Sequence, residues 1–178
     1  MQVLALSSQV SIVSEPAYGF GSTDNVRTYP FALNLDSAAR PVSVHGVLID
    51  GEPLAVFGAS GGATGLHEHS ALLHSELLFL AVANKIVCMR VKPFQYMWAL
   101  RVDDATCFGI HFHTGTKSLL SHGELAITQF TEDGAIIWQS SGRDIFTGAV
   151  TLGEESVAVV DFEGYEHRFS YSDGQRDA

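Results

Sequence analysis

Residues 124–139 read Glu-Leu-Ala-Ile-Thr-Gln-Phe-Thr-Glu-Asp-Gly-Ala-Ile-Ile-Trp-Gln. Side chains alternate across an extended strand, so Leu125, Ile127 and Gln129 leave by one face and Ala126, Thr128 and Phe130 by the other. Thr131, Glu132, Asp133 and Gly134 then form a turn signal, with Gly134 free to adopt positive φ. Residues 135–139 return as a partner strand that carries Trp138. The stretch predicts a β-hairpin with an aromatic anchor.

Working outward, the same grammar repeats. Residues 77–82 and 86–91 are apolar runs joined at Asn84-Lys85. Strands follow over 96–102 and 106–113, a loop over 114–122, and strands over 145–152, 156–162 and 165–171. On the N-terminal side, 41–49 and 53–57 flank Asp50-Gly51, a strong hairpin turn. Residues 58–65 form a glycine-rich loop. Leu66, Leu73, Leu77 and Leu80 fall at helical spacing, so 67–76 leaves room for a helical turn. The β run that follows favours strand from Leu77 onward. Trp98 precedes Asp104 by six residues and Trp138 precedes Asp144 by six, while His74-Ser-Glu-Leu is echoed by His122-Gly-Glu-Leu. The two echoes differ in register by a hairpin, so they define no clean repeat. The fold expected is all-β with little helix. It is one domain over 1–178, with antiparallel meanders at 77–102, 106–139 and 145–171 packed as a propeller-like ring or a two-sheet sandwich.

The segment from Phe130 to Trp138, with Gly134 four residues before Trp138, resembles the Gly-x-x-x-Trp blade motif of pyrroloquinoline-quinone-type β-propeller repeats. In those repeats the Trp docks one blade on the next. Residues 86–98 are similar but lack the Gly, and 156–171 lack the Trp. The resemblance covers the C-terminal half and implies architecture alone, since no cofactor residue of that family maps onto this chain. A four-bladed ring or an open sandwich each fit the length.

Composition narrows the classes of function. The 178 residues carry 46% hydrophobic and 17% charged side chains and a net charge of −10, which argues for a folded core and against binding nucleic acid or anionic membranes. Cys88 and Cys107 read as a reduced, buried pair. The N-terminal residues show neither a signal-peptide pattern nor a membrane span, which predicts a cytoplasmic protein. Exposed strand edges leave room for a homodimer.

Histidine is the suggestive residue type. His67-Glu68-His69 and His111-Phe112-His113 are His-x-His pairs, and on a strand both imidazoles of such a pair share a face and can share a metal. Zn or Fe would suit ligation by His67, His69, His111 and His113, with His74, His122, Glu76 or Glu124 completing the set. The pattern fails against metal-binding cupins, whose first motif wants a Glu sooner after the second His than Glu76. Ordinary surface or hydrogen-bonded histidines are the simpler reading. Gly58-Ala-Ser60-Gly-Gly62 matches a nucleophile elbow, with His67 or His69 as base, yet lacks the strand-to-helix context that chemistry needs. No catalytic constellation is complete. The chain therefore reads as a non-enzymatic binding or protein-interaction module offering loops 58–76 and 114–123 to an unidentified protein or small ligand, with a metal-binding protein or metal-dependent enzyme as the alternative.

Overall fold

The computed structural model describes residues 2–5, 8–37 and 40–176, with side chains from residue 8 onward. Its regular elements are all strands, and no helix occurs among the described residues. They form four sheets in chain order. The first contains β1 (Gln2–Ala5), β2 (Ser8–Ser14), β3 (Phe31–Asn34), β4 (Ser43–Ile49) and β5 (Glu52–Ala59), ordered β1-β2-β4-β5-β3, with β3 parallel to β5. The second is the meander β6 (Ala71–His74), β7 (Leu77–Val82), β8 (Lys85–Arg90) and β9 (Gln95–Arg101). The third is the meander β10 (Cys107–His113), β11 (Ser118–Gly123), β12 (Ala126–Phe130) and β13 (Ile136–Ser141). The fourth holds β14 (Phe146–Leu152), β15 (Ser156–Asp161) and β16 (Glu166–Ser170).

Each middle sheet buries both faces, one on each neighbour. In the second sheet Leu78, Leu80, Val87 and Met89 pack on Val10, Ile12, Val47 and Phe57 of the first. Its alternate residues Phe79, Ala81, Ile86 and Cys88 pack on Cys107, Ile110, Leu119 and Phe130 of the third. The other face of the third sheet, through Leu120, Ile127 and Trp138, meets Phe146, Val157, Val159 and Phe169 of the fourth. Two-sided burial explains why β7 and β8 read as continuous apolar runs rather than as alternation. The far face of the first sheet is covered by its own loop, where Tyr18, Phe20 and Tyr29 lie on Val44 and Val56. No core cluster among the described residues joins the first sheet to the fourth.

The second–third and third–fourth seams share a docking device. The Trp98 indole Nε1–H donates to the carbonyl of Glu132 at 3.1 Å, and that of Trp138 to the carbonyl of Tyr171 at 3.2 Å. A glycine at positive φ lies on each ring, Gly134 (84°) on Trp98 and Gly174 (70°) on Trp138, and a Cβ on either would stand 2.9 or 2.6 Å from indole carbon. Both partners recur at a spacing of about 40 residues, a common repeat length for β-propeller blades.

The opening hairpin forms as read, from β12 to β13 with Gly134 in the turn. Other expectations need correction. The helical turn allowed over 67–76 is absent: 68–70 is a turn and β6 follows it, because Ala71–His74 pairs with Leu77–Leu80 as a short hairpin. The loop expected over 114–122 is half strand, since β11 begins at Ser118. The second and third meanders are four-stranded rather than three. The echo between His74 and His122 joins hairpins that are not equivalent, β6–β7 and β11–β12.

Candidate functional site

The seam between the third and fourth sheets departs from close packing at a cleft of about 450 Å³. It is lined by His67, His69, His111 and His122, with Phe108, Gly109 and residues 147–150. Three chain segments supply the imidazoles. His111 on β10 and His122 on β11 share the face toward the fourth sheet, because Gly109 is paired with His122 and His111 with Leu120, a core residue of that seam. His67 and His69 come from the loop before β6, which is tied to β10 where the Ile110 N–H donates to the His69 carbonyl at 2.9 Å.

Both strand walls are irregular here. In β10 the register shifts between Cys107 and Gly109, leaving Phe108 as an extra residue. In β14 the pairing passes from Phe146–Asp161 directly to Val150–Val159, so residues 147–149 bulge out of the ladder into the cleft wall. Bulges redirect side chains and end pairing locally, and they concentrate beside functional sites. Gly109 adds to the opening, since a Cβ there would stand 3.0 Å from the His69 Cβ and 3.5 Å from the His111 Nε2.

Ring centroids of His69 and His111 are 4.7 Å apart, and those of His67 and His69 are 6.2 Å apart. Burial, reinforced by His69 and His67, pushes the His111 pKa down to about 4. Burial, then His111, His67 and His69, does the same for His122, also to about 4. Both imidazoles are therefore neutral at pH 7, with a lone pair available. The Nε2 atom of His122 is buried and has no hydrogen-bond partner. His67 and His69 are exposed; the His69 N–H donates to His67 Nδ1 at 3.2 Å, and Glu68 approaches His69 Nε2 at 3.3 Å.

The structure thus brings together His67, His69 and His111 and adds His122, which the sequence suggested only as a supplementary ligand. His113 lies on the same face of β10 but outside this cleft. It stacks on Tyr171 at 3.8 Å and its Nδ1 is engaged with Thr116 Oγ1 at 2.9 Å. His113 lines a second cleft of about 460 Å³ with Thr114, Gly115 and residues 152–154, so the seam opens at a second place. His74 stacks on Phe112 and meets Glu132 at 3.3 Å, while Glu76 and Glu124 do not line the histidine cleft. Among the described residues no three His, Cys, Asp or Glu side chains already stand at metal-closing spacing. Ser60 follows β5 beside Asp36, which accepts its N–H at 2.8 Å. Because 61–67 continue without helix, the nucleophile elbow has no scaffold. Cys88 and Cys107 are free and buried, and burial raises both thiols to about 12, well above any reactive range at neutral pH.

Four small sheets in series, with tryptophan docking two of the three seams, define a β-propeller-like protein. Comparison with solved structures agrees on the fold. BamB from Moraxella catarrhalis, a β-propeller protein, matches 76% of this chain at a TM-score of 0.52 and 14% identity. The computationally designed Ika4 protein matches 68% at 0.52 and 10% identity. The quinohemoprotein alcohol dehydrogenase from Comamonas testosteroni matches 61% at 0.48 and 12% identity. The chain spans 43% of the BamB chain and 20% of the dehydrogenase, but 78% of Ika4. No family model and no curated protein matches the sequence.

Proposed function

We propose that this chain is a non-enzymatic binding module whose propeller-like scaffold holds a small ligand in the histidine cleft between its third and fourth sheets. The observation that carries this reading is the convergence of His67, His69, His111 and His122, from three separate segments, on one opening whose walls are both ladder irregularities. An opening of about 450 Å³ suits a small ligand. Two buried carboxylates elsewhere in the fold are already committed. Asp103 accepts four backbone N–H groups, and Asp161 is paired with His167. The two loops singled out in the sequence, 58–76 and 114–123, each contribute to the cleft, through His67 and His69 and through His122.

The test is a fragment screen of small heterocycles and carboxylates, read by imidazole ¹H–¹⁵N shifts. Bound fragments are expected to move the His111 and His122 resonances together and to leave His113 and His45 in place. Fragments that cluster elsewhere on the molecule would overturn the reading. So would a confirmed turnover lost on a single cleft substitution.

A further inference from the structure

We propose that the histidine cleft binds a divalent transition-metal ion of the zinc class, held by His111 and His122 from the third sheet and completed by His69 or His67 from the loop before β6. This rests on the reading that the cleft is the binding site and names what fills it. Every side chain there with a strong donor atom for a metal is an imidazole; the remaining lining is Phe108, Gly109, Thr147, Gly148, Ala149 and Val150. Imidazole-rich sites suit zinc, copper and nickel, whereas magnesium and calcium demand oxygen ligands. With no carboxylate lining the cleft, the imidazole-plus-carboxylate ligation expected for zinc or iron reduces to imidazole alone.

One pair already stands near ligand spacing. Two imidazoles on one tetrahedral zinc, each about 2.0–2.1 Å from the metal, place their ring centroids about 5 Å apart. His69 and His111, with centroids 4.7 Å apart, stand near that distance, whereas His67 and His69, at 6.2 Å, are wider than it. The buried Nε2 of His122 has no protein partner, which is costly for a desolvated nitrogen unless something meets it. Gly109 keeps the gap between His69 and His111 open, because a Cβ would intrude beside the His111 Nε2. Closure of the set requires His67 or His69 to turn toward the two strand imidazoles. Both are exposed and lie outside any strand, and turning them costs only solvent-exposed contacts, the His69 N–H to His67 Nδ1 and Glu68 to His69 Nε2. Glu68, 3.3 Å from His69 Nε2, is placed to orient that ring, as carboxylates do for many histidine ligands.

The test titrates chelator-treated full-length protein with Zn²⁺ by calorimetry and with Co²⁺ by its visible d–d bands. One equivalent should bind at micromolar affinity or tighter. His111→Ala and His122→Ala should each weaken binding about tenfold or more, while His113→Ala, at the neighbouring opening, should leave it within about twofold by the same comparison. His111→Gln and His122→Gln keep most of the side-chain volume and decide the matter if an alanine variant fails to fold. No saturable binding would overturn the proposal. So would stoichiometric binding that survives both His111→Gln and His122→Gln, which would leave the ion on the exposed loop pair. Fragments still seated in the cleft without Zn²⁺ binding would remove the metal and spare the binding site; Zn²⁺ held at His111 and His122 with all fragments elsewhere would do the reverse.

Discussion

The seam between the second and third sheets and the seam between the third and fourth use one anchor and reach opposite results. Trp98 and Trp138 each donate to a backbone carbonyl of the next sheet and each lie under a positive-φ glycine. Around Trp98 the seam is sealed by Phe79, Ile86, Cys88, Ile110, Leu119 and Phe130. It is also bolted by Asp103, whose buried carboxylate accepts the N–H groups of Ala105, Thr106, Leu125 and Ala126 at 2.6–3.2 Å. Five residues beyond Trp138 the corresponding position is Arg143, exposed and lying 5.2 Å over the Tyr165 ring. Beside Trp138 the third sheet offers His111, His113 and His122 where the sealed seam offers hydrocarbon. One docking geometry therefore tolerates both a dry core and a polar opening. What separates them is the content of a few inward positions on β10 and β11 and the bulge in β14.

The sharpest way to break that contrast is to remove the bolt. Asp103→Ala leaves four buried or half-buried N–H groups without a partner, and each orphan costs about 1–3 kcal/mol. A loss of about 4 kcal/mol or more in urea-unfolding stability is expected, with Asp103→Asn almost as damaging because its amide would face the Leu125 and Ala126 N–H groups. Arg143→Ala should cost less than about 1 kcal/mol, as expected for an exposed charge. Equal losses at the two positions would remove the distinction between a bolted and an unbolted seam.

Acid should find the open seam first. The folded pKa values of His111 and His122, about 4, lie below the ordinary value of about 6.5. The unfolded chain therefore binds more protons between those limits. Stability is fully present above about pH 6.5, falls as pH drops toward 4, and levels off below it. The pair should contribute on the order of 2–4 kcal/mol to that fall, less than two independent groups because the rings interact. His45, buried in β4 and also near 4, acts in the same window from the first sheet. In chelator-treated protein, a variant retaining only Trp138 should change its emission at higher pH than one retaining only Trp98. Coincident transitions would show that the histidines load both seams equally.

The anchors themselves give the next effect in size. Gly134→Ala and Gly174→Ala each force a Cβ into the left-handed region and against an indole. Each should cost about 1–3 kcal/mol by thermal unfolding, the two alike. A harmless Gly174→Ala beside a damaging Gly134→Ala would mean that the Trp138 dock is ornamental.

Much of this was legible in the sequence, for local reasons. Alternation and turn chemistry predicted β12, its turn at Gly134 and β13, and Leu77 onward read as strand because β7 and β8 are apolar on both faces. The Trp docking followed from the resemblance through Gly134 and Trp138. The repeat of about 40 residues was present in Trp98, Trp138, Gly134 and Gly174, but Gly174 sits in a polar tail that carries no strand signal. The site was half legible. His-x-His spacing marked His111 and His113 as sharing a face, but spacing says nothing of what the facing sheet presents. Tyr171 takes His113, and the bulge at 147–149 leaves His111 open. His122 was hidden because its segment read as loop; its alternation with Leu120 on β11 is the signal that would have placed it.

The smallest expected change carries the most information about why the open seam persists. His122→Leu replaces a buried imidazole, one nitrogen of which has no partner, with hydrocarbon of similar size facing Phe108 and Val150. Removing a buried unsatisfied group while keeping volume is neutral to stabilising, so this variant should gain between about 0 and 1 kcal/mol at pH 7. The acid sensitivity of the seam should shrink with it. A wild-type side chain that lowers stability is expected where a site is kept for binding, as strained or under-packed positions elsewhere in proteins are. If His122→Leu instead destabilises by 1 kcal/mol or more, on the order of a lost hydrogen bond, then the imidazole is a satisfied structural group. The two seams would then differ in composition but not in purpose.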